Sequence, residues 1–156
     1  MPDTEVFTDI AVSTSYYLDT LKRQAVVNAG VTFVFTDETA EPGQQVTQFF
    51  YERGIEDYVE ELAGLDAMTP VRFCRSEAQG RDREDRPEYR VKMNAAFCFS
   101  NKTQLLEYYH NSSWLEHGGS PDKAVRTAFV GQIDAYLKAK NMYKKGESKI
   151  TFSDVQ

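Results

Sequence analysis

Two glycines and a serine, Gly118-Gly119-Ser120, stand directly before the clearest helical pattern of the chain. A helix start of this kind could bind an anion, because its first N–H groups have no intrahelical acceptor and the positive end of the helix dipole faces the ligand. The segment lacks the lysine of a phosphate loop and the spaced glycines of a dinucleotide fingerprint. A flexible entry turn with a helix cap is therefore the simpler interpretation, and an anion-binding site is the alternative.

Nucleophilic and metal chemistry have weaker support. His110 and His117 flank the pair Ser112-Ser113, and a histidine beside a serine is what acyl transfer requires. The chain has no G-x-S-x-G nucleophile turn. The two histidines could also bind zinc together with Cys74 and Cys98, because histidine and cysteine are common zinc ligands. However, no two of these four residues have the spacing of a zinc finger. We therefore predict no catalytic residue and no metal site.

The last helical pattern also carries cations on one edge. Lys123, Thr127, Asp134 and Lys138 lie opposite its apolar positions, and Arg126 lies on the flank. Such an edge could contact phosphate groups. The alternative is an ordinary solvated helix face.

Composition restricts the class of protein. The 156 residues, 41% of them hydrophobic, suit one soluble globular domain. Eighteen basic against 24 acidic residues give a net charge of -6, which excludes a general polyanion binder. No apolar run reaches the roughly 18 residues of a membrane span, and residues 1–5 do not resemble a signal peptide. With only two cysteines, the chain fits a reducing cytoplasm and no membrane association.

The first half of the chain predicts two helices around a hairpin. Apolar spacing predicts a helix over 14–28, ended by Gly30. Residues 31–35 and 46–51 favour strands joined by a turn over 37–44, which indicates an antiparallel hairpin. A second helix is predicted to begin at Ile55 and to end at Leu62.

The second half predicts three strands and a long helix. Strands are predicted over 71–74, 89–99 and 105–111, with a solvated loop over 75–88. The long helix has Ser120 as N-cap, Pro121 as first residue and Asp122 in its first turn, and ends near Lys140. Another helix start is indicated at Ser153-Asp154. The order predicts an α+β domain with helices on one face of a mainly antiparallel sheet.

Three segments in order resemble one known family. These are residues 21–31 (LKRQAVVNAGV), residues 49–62 (FFYERGIEDYVEEL) and the stretch from Asn111 through the glycines to Arg126. They are similar to motifs of the second, transducer domain in the ATP-hydrolysing component of type IIA DNA topoisomerases, that is, DNA gyrase and topoisomerase IV. The chain departs from the family pattern at Trp114-Leu115, His117 and Ser120-Pro121.

The resemblance implies a ribosomal protein S5 domain 2-like fold over residues 1–156, a transducer domain without its C-terminal strand, switch-lysine loop and last helix. It implies a role in coupling ATP binding and hydrolysis in a preceding domain to closure of the DNA gate and strand passage. ATP and Mg²⁺ would bind another part of the complete protein, called the parent protein here. No cofactor would bind this chain itself. The implied partners are DNA, bound weakly by Arg126, Lys123 and Lys138, the gyrase A component of the topoisomerase, and a second copy in a homodimer.

Two other functions stay open. One is a small standalone enzyme or anion-binding module that uses Gly118-Gly119-Ser120. The other is a protein-interaction module. An upstream ATPase domain and a downstream Gln-Thr-Lys loop in the parent reading frame would favour the topoisomerase.

Overall fold

The computed structural model describes residues 3, 5–7, 11–43 and 45–155. Gln44, in the predicted 37–44 turn, and Gln156 lie outside the described residues. The regular elements, in chain order, are α1 (Thr14–Val27), β1 (Phe33–Thr36), β2 (Val46–Phe49), α2 (Ile55–Ala63), β3 (Arg72–Gly80), β4 (Tyr89–Phe97), β5 (Tyr109–His110), β6 (Ser113–Trp114) and α3 (Gly119–Ala139). In the described ranges, none of the helices has both the length and the apolar character that crossing a membrane requires.

The α+β class is confirmed, and the chain divides into two compact units, Met1–Thr103 and Gln104–Gln156. The described strands pair antiparallel as three separate two-stranded sheets, β1-β2, β3-β4 and β5-β6. The expectation of one continuous sheet is therefore corrected. Each strand pairs with its neighbour in sequence, as short connections favour.

Helix α1 supplies two of the four buried hydrophobic residues described in the first unit. The Ser13 side chain caps the helix by accepting a hydrogen bond from Tyr16 N at 3.3 Å. Ala25 and Val26 are fully buried and form a cluster with Tyr51. The helix packs against β1, β2 and α2, so the predicted periodicity is confirmed as a core face.

The turn before α2 requires a glycine. Gly54 has φ +62°, and a Cβ there would lie 2.9 Å from the carbonyl oxygen of Val26 and 3.1 Å from Cβ of Ala29. Only a residue without a side chain lets α2 begin this close to the end of α1. The Gly-Ile step of the 49–62 motif therefore has a packing reason.

The predicted loop over 75–88 is wrong over its first part, because β3 continues to Gly80 and pairs with β4 along nine residues. Residues 75–80 contain almost no apolar side chain, which made them resemble a loop. Glu77 forms ion pairs with Arg75, Arg90 and Lys92 on one face of the ribbon. These cross-strand charges favour the strand although the sequence there is polar.

The predicted strand over 105–111 is also corrected. Only Tyr109 and His110 are extended, and they pair with Trp114 and Ser113 in a short hairpin. Asn111, with φ +53°, makes the left-handed turn, a conformation that asparagine tolerates well. The hairpin is therefore set by its turn rather than by the β-propensity of 105–108.

Candidate functional site

A cleft of about 270 Å³ lies within the second unit, where the β5–β6 hairpin meets the start of α3. Its walls combine apolar, aromatic and charged side chains, namely Leu106, Tyr108, Trp114, Leu115, Glu116, His117, Gly118, Asp122 and Arg126. Two parts of the predicted site therefore meet at this cleft: the start of the long helix and Arg126.

The helix start differs from the sequence-based prediction. Helix α3 begins at Gly119 with Gly118 as its N-cap, so Ser120 lies inside the first turn and is not the cap. Both glycines have positive φ, +70° and +63°, and this turn places the helix start two residues earlier. The Gly118 N–H donates to the Leu115 carbonyl at 3.0 Å and the Gly119 N–H to the His117 carbonyl at 2.7 Å. Two of the three backbone donors expected to bind an anion therefore already have acceptors.

Asp122 provides the negative charge at this helix start. A Cβ on Gly118 would lie 2.6 Å from Cβ of Asp122, so the glycine leaves room for the carboxylate. The hydrogen bond from Arg126 outweighs the effect of desolvation and holds the pKa of Asp122 below its usual value. The carboxylate therefore stays ionised at neutral pH, in the first helical turn where the dipole favours it.

Arg126 contacts Asp122 one turn earlier on the same helix. Its Nε–H donates to both carboxylate oxygens, at 2.9 Å to Oδ1 and 2.7 Å to Oδ2. Cζ of the guanidinium also lies 4.3 Å from the ring centre of Phe152, a cation–π contact. Phe152 belongs to a short 3-10 turn, Phe152–Asp154, which Thr151 caps, so the helix start indicated at Ser153-Asp154 is corrected to a single turn that ends there.

Tyr108 forms the floor beside this pair. Its hydroxyl oxygen is buried beside the Asp122 carboxylate, although no hydrogen bond of normal geometry reaches it among the described residues. Burial, and then the neighbouring Asp122 carboxylate, raise the pKa of Tyr108 to about 12. The phenol is therefore neutral at physiological pH and does not add charge to the cleft.

The other two predicted DNA-facing cations lie elsewhere on α3. Lys138 forms an ion pair with Asp134 at 2.5 Å, and Asp134 also accepts a hydrogen bond from Tyr143 at 2.8 Å. Lys123 is exposed and has no ion pair within the described ranges. Lys138 is twelve residues beyond Arg126, about 18 Å along a helix, so one small ligand cannot contact both. Asp134 lies on the half-buried face of α3, not opposite the apolar positions as predicted.

Charge is unevenly divided between the units. The second unit has seven basic and six acidic residues, whereas the first has eleven basic and 18 acidic ones. After α3, Lys140, Lys144, Lys145 and Lys149 follow with Glu147 as the one acid among them. The predicted cations therefore belong to the unit that repels phosphate least.

The catalytic and zinc alternatives gain nothing from the geometry. His110 and Ser113 are opposite each other in the β5–β6 ladder, but no hydrogen bond joins their side chains among the described contacts. Cys74 lies exposed on β3, and Cys98 follows β4 and is half-buried. Across the described residues, no three His, Cys, Asp or Glu side chains converge as metal ligands would.

The partners of Arg126 did not follow from the sequence-based prediction. The spacing of Asp122 and Arg126, four residues apart in a helix, is a signal that could have been used. Phe152 lies 26 residues further along the chain, and no local pattern indicates its contact with the guanidinium.

The fold and this site define a mixed helix and antiparallel-sheet protein whose second unit presents a fixed arginine beside a cleft. The family model for DNA gyrase B matches residues 54–156. The chain belongs to the DNA gyrase B family.

Individual relatives agree with this assignment. The DNA gyrase B protein of Chlamydia pneumoniae is 28% identical over 158 aligned residues, which cover 99% of this chain and 19% of that protein. The DNA gyrase B protein of Enterococcus faecalis is 26% identical over 159 residues, covering 100% of this chain and 23% of that protein. This chain therefore spans a fifth to a quarter of the length of these two curated relatives.

A solved structure shares the fold. The 43K ATPase domain of Thermus thermophilus gyrase B, crystallised in complex with an aminocoumarin, matches with a TM-score of 0.60 at 21% identity. The match covers 97% of this chain and 39% of that one. At this identity the comparison supports the fold alone.

Proposed function

We propose that this chain is the transducer region of a gyrase-B-type protein, which passes ATP binding and hydrolysis in a preceding domain to DNA-gate closure and strand passage. The observation that carries the proposal is the family match over residues 54–156. A transducer needs rigid elements that take two arrangements under the influence of nucleotide, and it needs no catalytic group of its own.

Nucleotide binding is assigned to the rest of the parent protein. A triphosphate with Mg²⁺ needs a cradle of free backbone N–H groups and a cation. At the start of α3, the N–H groups of Gly118 and Gly119 have acceptors and Asp122 supplies a negative charge. These residues do not fit the triphosphate, and for the same reason the standalone enzyme is the weaker alternative.

DNA is the proposed ligand of the second unit, with Arg126 as the leading contact and Lys123 and Lys138 as further contacts. Binding by the chain alone should be weak, independent of sequence and strongly salt-dependent, because the net charge is -6 and few cations are available. The partners proposed for the parent are the gyrase A component of the topoisomerase and a second copy of the parent itself, in a bacterial cytoplasm.

The test is Arg126→Glu in the complete parent protein, with ATPase rates measured with and without linear duplex DNA. The DNA-stimulated rate should fall about tenfold, equivalent to about 1.4 kcal/mol, while the basal rate changes little. Arg83→Glu is the matched control, because Arg83 is exposed in the connection between β3 and β4 and has the same charge change. Equal loss of both rates would indicate a folding defect, whereas an unchanged DNA-stimulated rate would contradict a DNA-contact role.

A further inference from the structure

Arg126 is held on two sides, and one edge of its guanidinium is left open. Nε–H donates to both oxygens of Asp122, and Cζ lies over the ring of Phe152, 4.3 Å from its centre. The two terminal amino groups have no hydrogen-bond partner among the described residues, and the side chain is 40% exposed. These amino groups form the planar fork that binds two oxygens of a phosphate.

We propose that Asp122 is a positioning residue for Arg126, which fixes the guanidinium so that its open edge binds one backbone phosphate of DNA. Phe152 supports the same orientation through its cation–π contact with the guanidinium. The inference rests on the proposed function, since it takes DNA as the ligand of Arg126. It adds that the orientation of the arginine, and not only its charge, determines the contact.

The local structure explains why Asp122 can do this. Its carboxylate lies in the first turn of α3, where the helix dipole stabilises it, and Gly118 leaves the space it needs. A spacing of four residues brings Arg126 onto the same side of the helix. An arginine already ordered in this way loses less side-chain entropy when it binds.

Positioning and simple charge predict effects of opposite sign. The Asp122 carboxylate itself repels phosphate, so removing its charge should tighten DNA binding if only electrostatics matters. If Asp122 orients Arg126, the same change should weaken binding, although the chain becomes more positive. The sign of the effect therefore decides between the two.

The experiment uses the full 156-residue chain and a labelled DNA duplex of about 30 base pairs, with affinity measured by fluorescence anisotropy at several salt concentrations. Asp122→Asn should weaken DNA binding about threefold or more. Asp122→Glu keeps the carboxylate, so its affinity should stay close to that of the unaltered chain. Glu116→Gln is the matched control, because Glu116 lines the same cleft and has no ion pair among the described residues. This control should bind as tightly as the unaltered chain or more tightly.

A second measurement separates positioning from folding. The Nε–H signal of Arg126 in NMR spectra should exchange slowly with water in the unaltered chain and rapidly in Asp122→Asn, at unchanged thermal stability. Where Asp122→Asn does not fold, Phe152→Leu removes the cation–π contact while it keeps an apolar contact, and it should also weaken binding.

The outcomes distinguish this inference from the proposed function. Arg126→Ala should weaken binding at least as much as Asp122→Asn. Unchanged binding by Arg126→Ala, or no binding by the unaltered chain at low salt, contradicts the DNA contact itself. Weaker binding by Arg126→Ala together with equal or tighter binding by Asp122→Asn overturns the positioning role alone.

Discussion

The phenol hydroxyl of Tyr51 donates a hydrogen bond to Oε2 of Glu61 at 2.8 Å, and this bond joins the end of the β1–β2 hairpin to helix α2. The other carboxylate oxygen accepts from Nζ of Lys22 in α1 at 2.9 Å. The Tyr51 ring lies edge-on to Tyr58, with centroids 5.8 Å apart. One carboxylate therefore links three elements that surround the buried core of the first unit.

Tyr51→Phe should destabilise the chain by about 1 kcal/mol at neutral pH, because the variant loses one charge-assisted hydrogen bond and keeps the ring packing. Chemical denaturation of both proteins measures the difference. Tyr16→Phe is the control, since Tyr16 is 62% exposed and should change stability by less than about 0.5 kcal/mol.

The loss of stability in Tyr51→Phe should depend on pH. Partial burial disfavours ionisation of Glu61, but the hydrogen bonds from Lys22 and Tyr51 outweigh it and hold the pKa of Glu61 below its usual value. A depressed pKa in the folded state contributes stability above the unfolded pKa, and this contribution is lost as pH falls through the folded pKa. The difference between Tyr51→Phe and the unaltered chain should therefore shrink at low pH. A deficit that is constant from pH 7 to pH 3 would show that the hydroxyl does not act through Glu61.

Gly54→Ala should be strongly destabilising, by more than about 1 kcal/mol, because the added Cβ meets the Val26 carbonyl and requires a positive φ. Gly30→Ala is the matched control: Gly30 also has positive φ, +76°, but nothing lies within 4 Å of its Cβ position. In thermal unfolding, Gly54→Ala should have a lower melting temperature than Gly30→Ala. Equal melting temperatures would mean that backbone strain, and not the contact with α1, makes the glycine necessary.

Mg-ATP should not bind this chain appreciably. The start of α3 has too few free N–H donors for a phosphate cradle, and Asp122 adds a repulsive charge. Isothermal titration calorimetry should give no heat of binding at micromolar concentration. Micromolar binding, or ATP turnover that is lost in Ser120→Ala, would support the standalone enzyme instead.

The chain should self-associate, most simply as a two-fold dimer, through the β3–β4 ribbon. Tyr89, Val91 and Met93 lie on one face of the ribbon and are 46–49% exposed, and each strand has an edge without a described neighbour. Light scattering should give about twice the 17.8 kDa mass of the chain.

Substitutions on the two faces of the ribbon test where this contact lies. The double variant Val91→Lys, Met93→Lys should be monomeric, because it puts charge on the apolar face. The control Gln79→Lys, Asn94→Lys carries the same charge on the opposite face and should stay dimeric. A monomeric unaltered chain contradicts the prediction.

Local spacing in the sequence determined the helices and the first hairpin. Helix α1 follows from apolar residues three and four positions apart, and the family motifs in residues 21–31 and 49–62 identified the class of protein before any contact was known. These features depend on residues that are close to each other in the chain, so the amino-acid sequence alone is enough to predict them.

Only the tertiary structure decided the length of β3, the cap of α3 and the surroundings of Arg126. Glu77 stabilises a strand through Arg90 on the next strand, and Arg126 makes a cation–π contact with a ring 26 residues away. Such contacts depend on strand register and on how the chain folds back, which neighbouring residues do not specify. The sequence therefore predicted which residues could bind phosphate, whereas the fold determined that one of them is held in a fixed orientation.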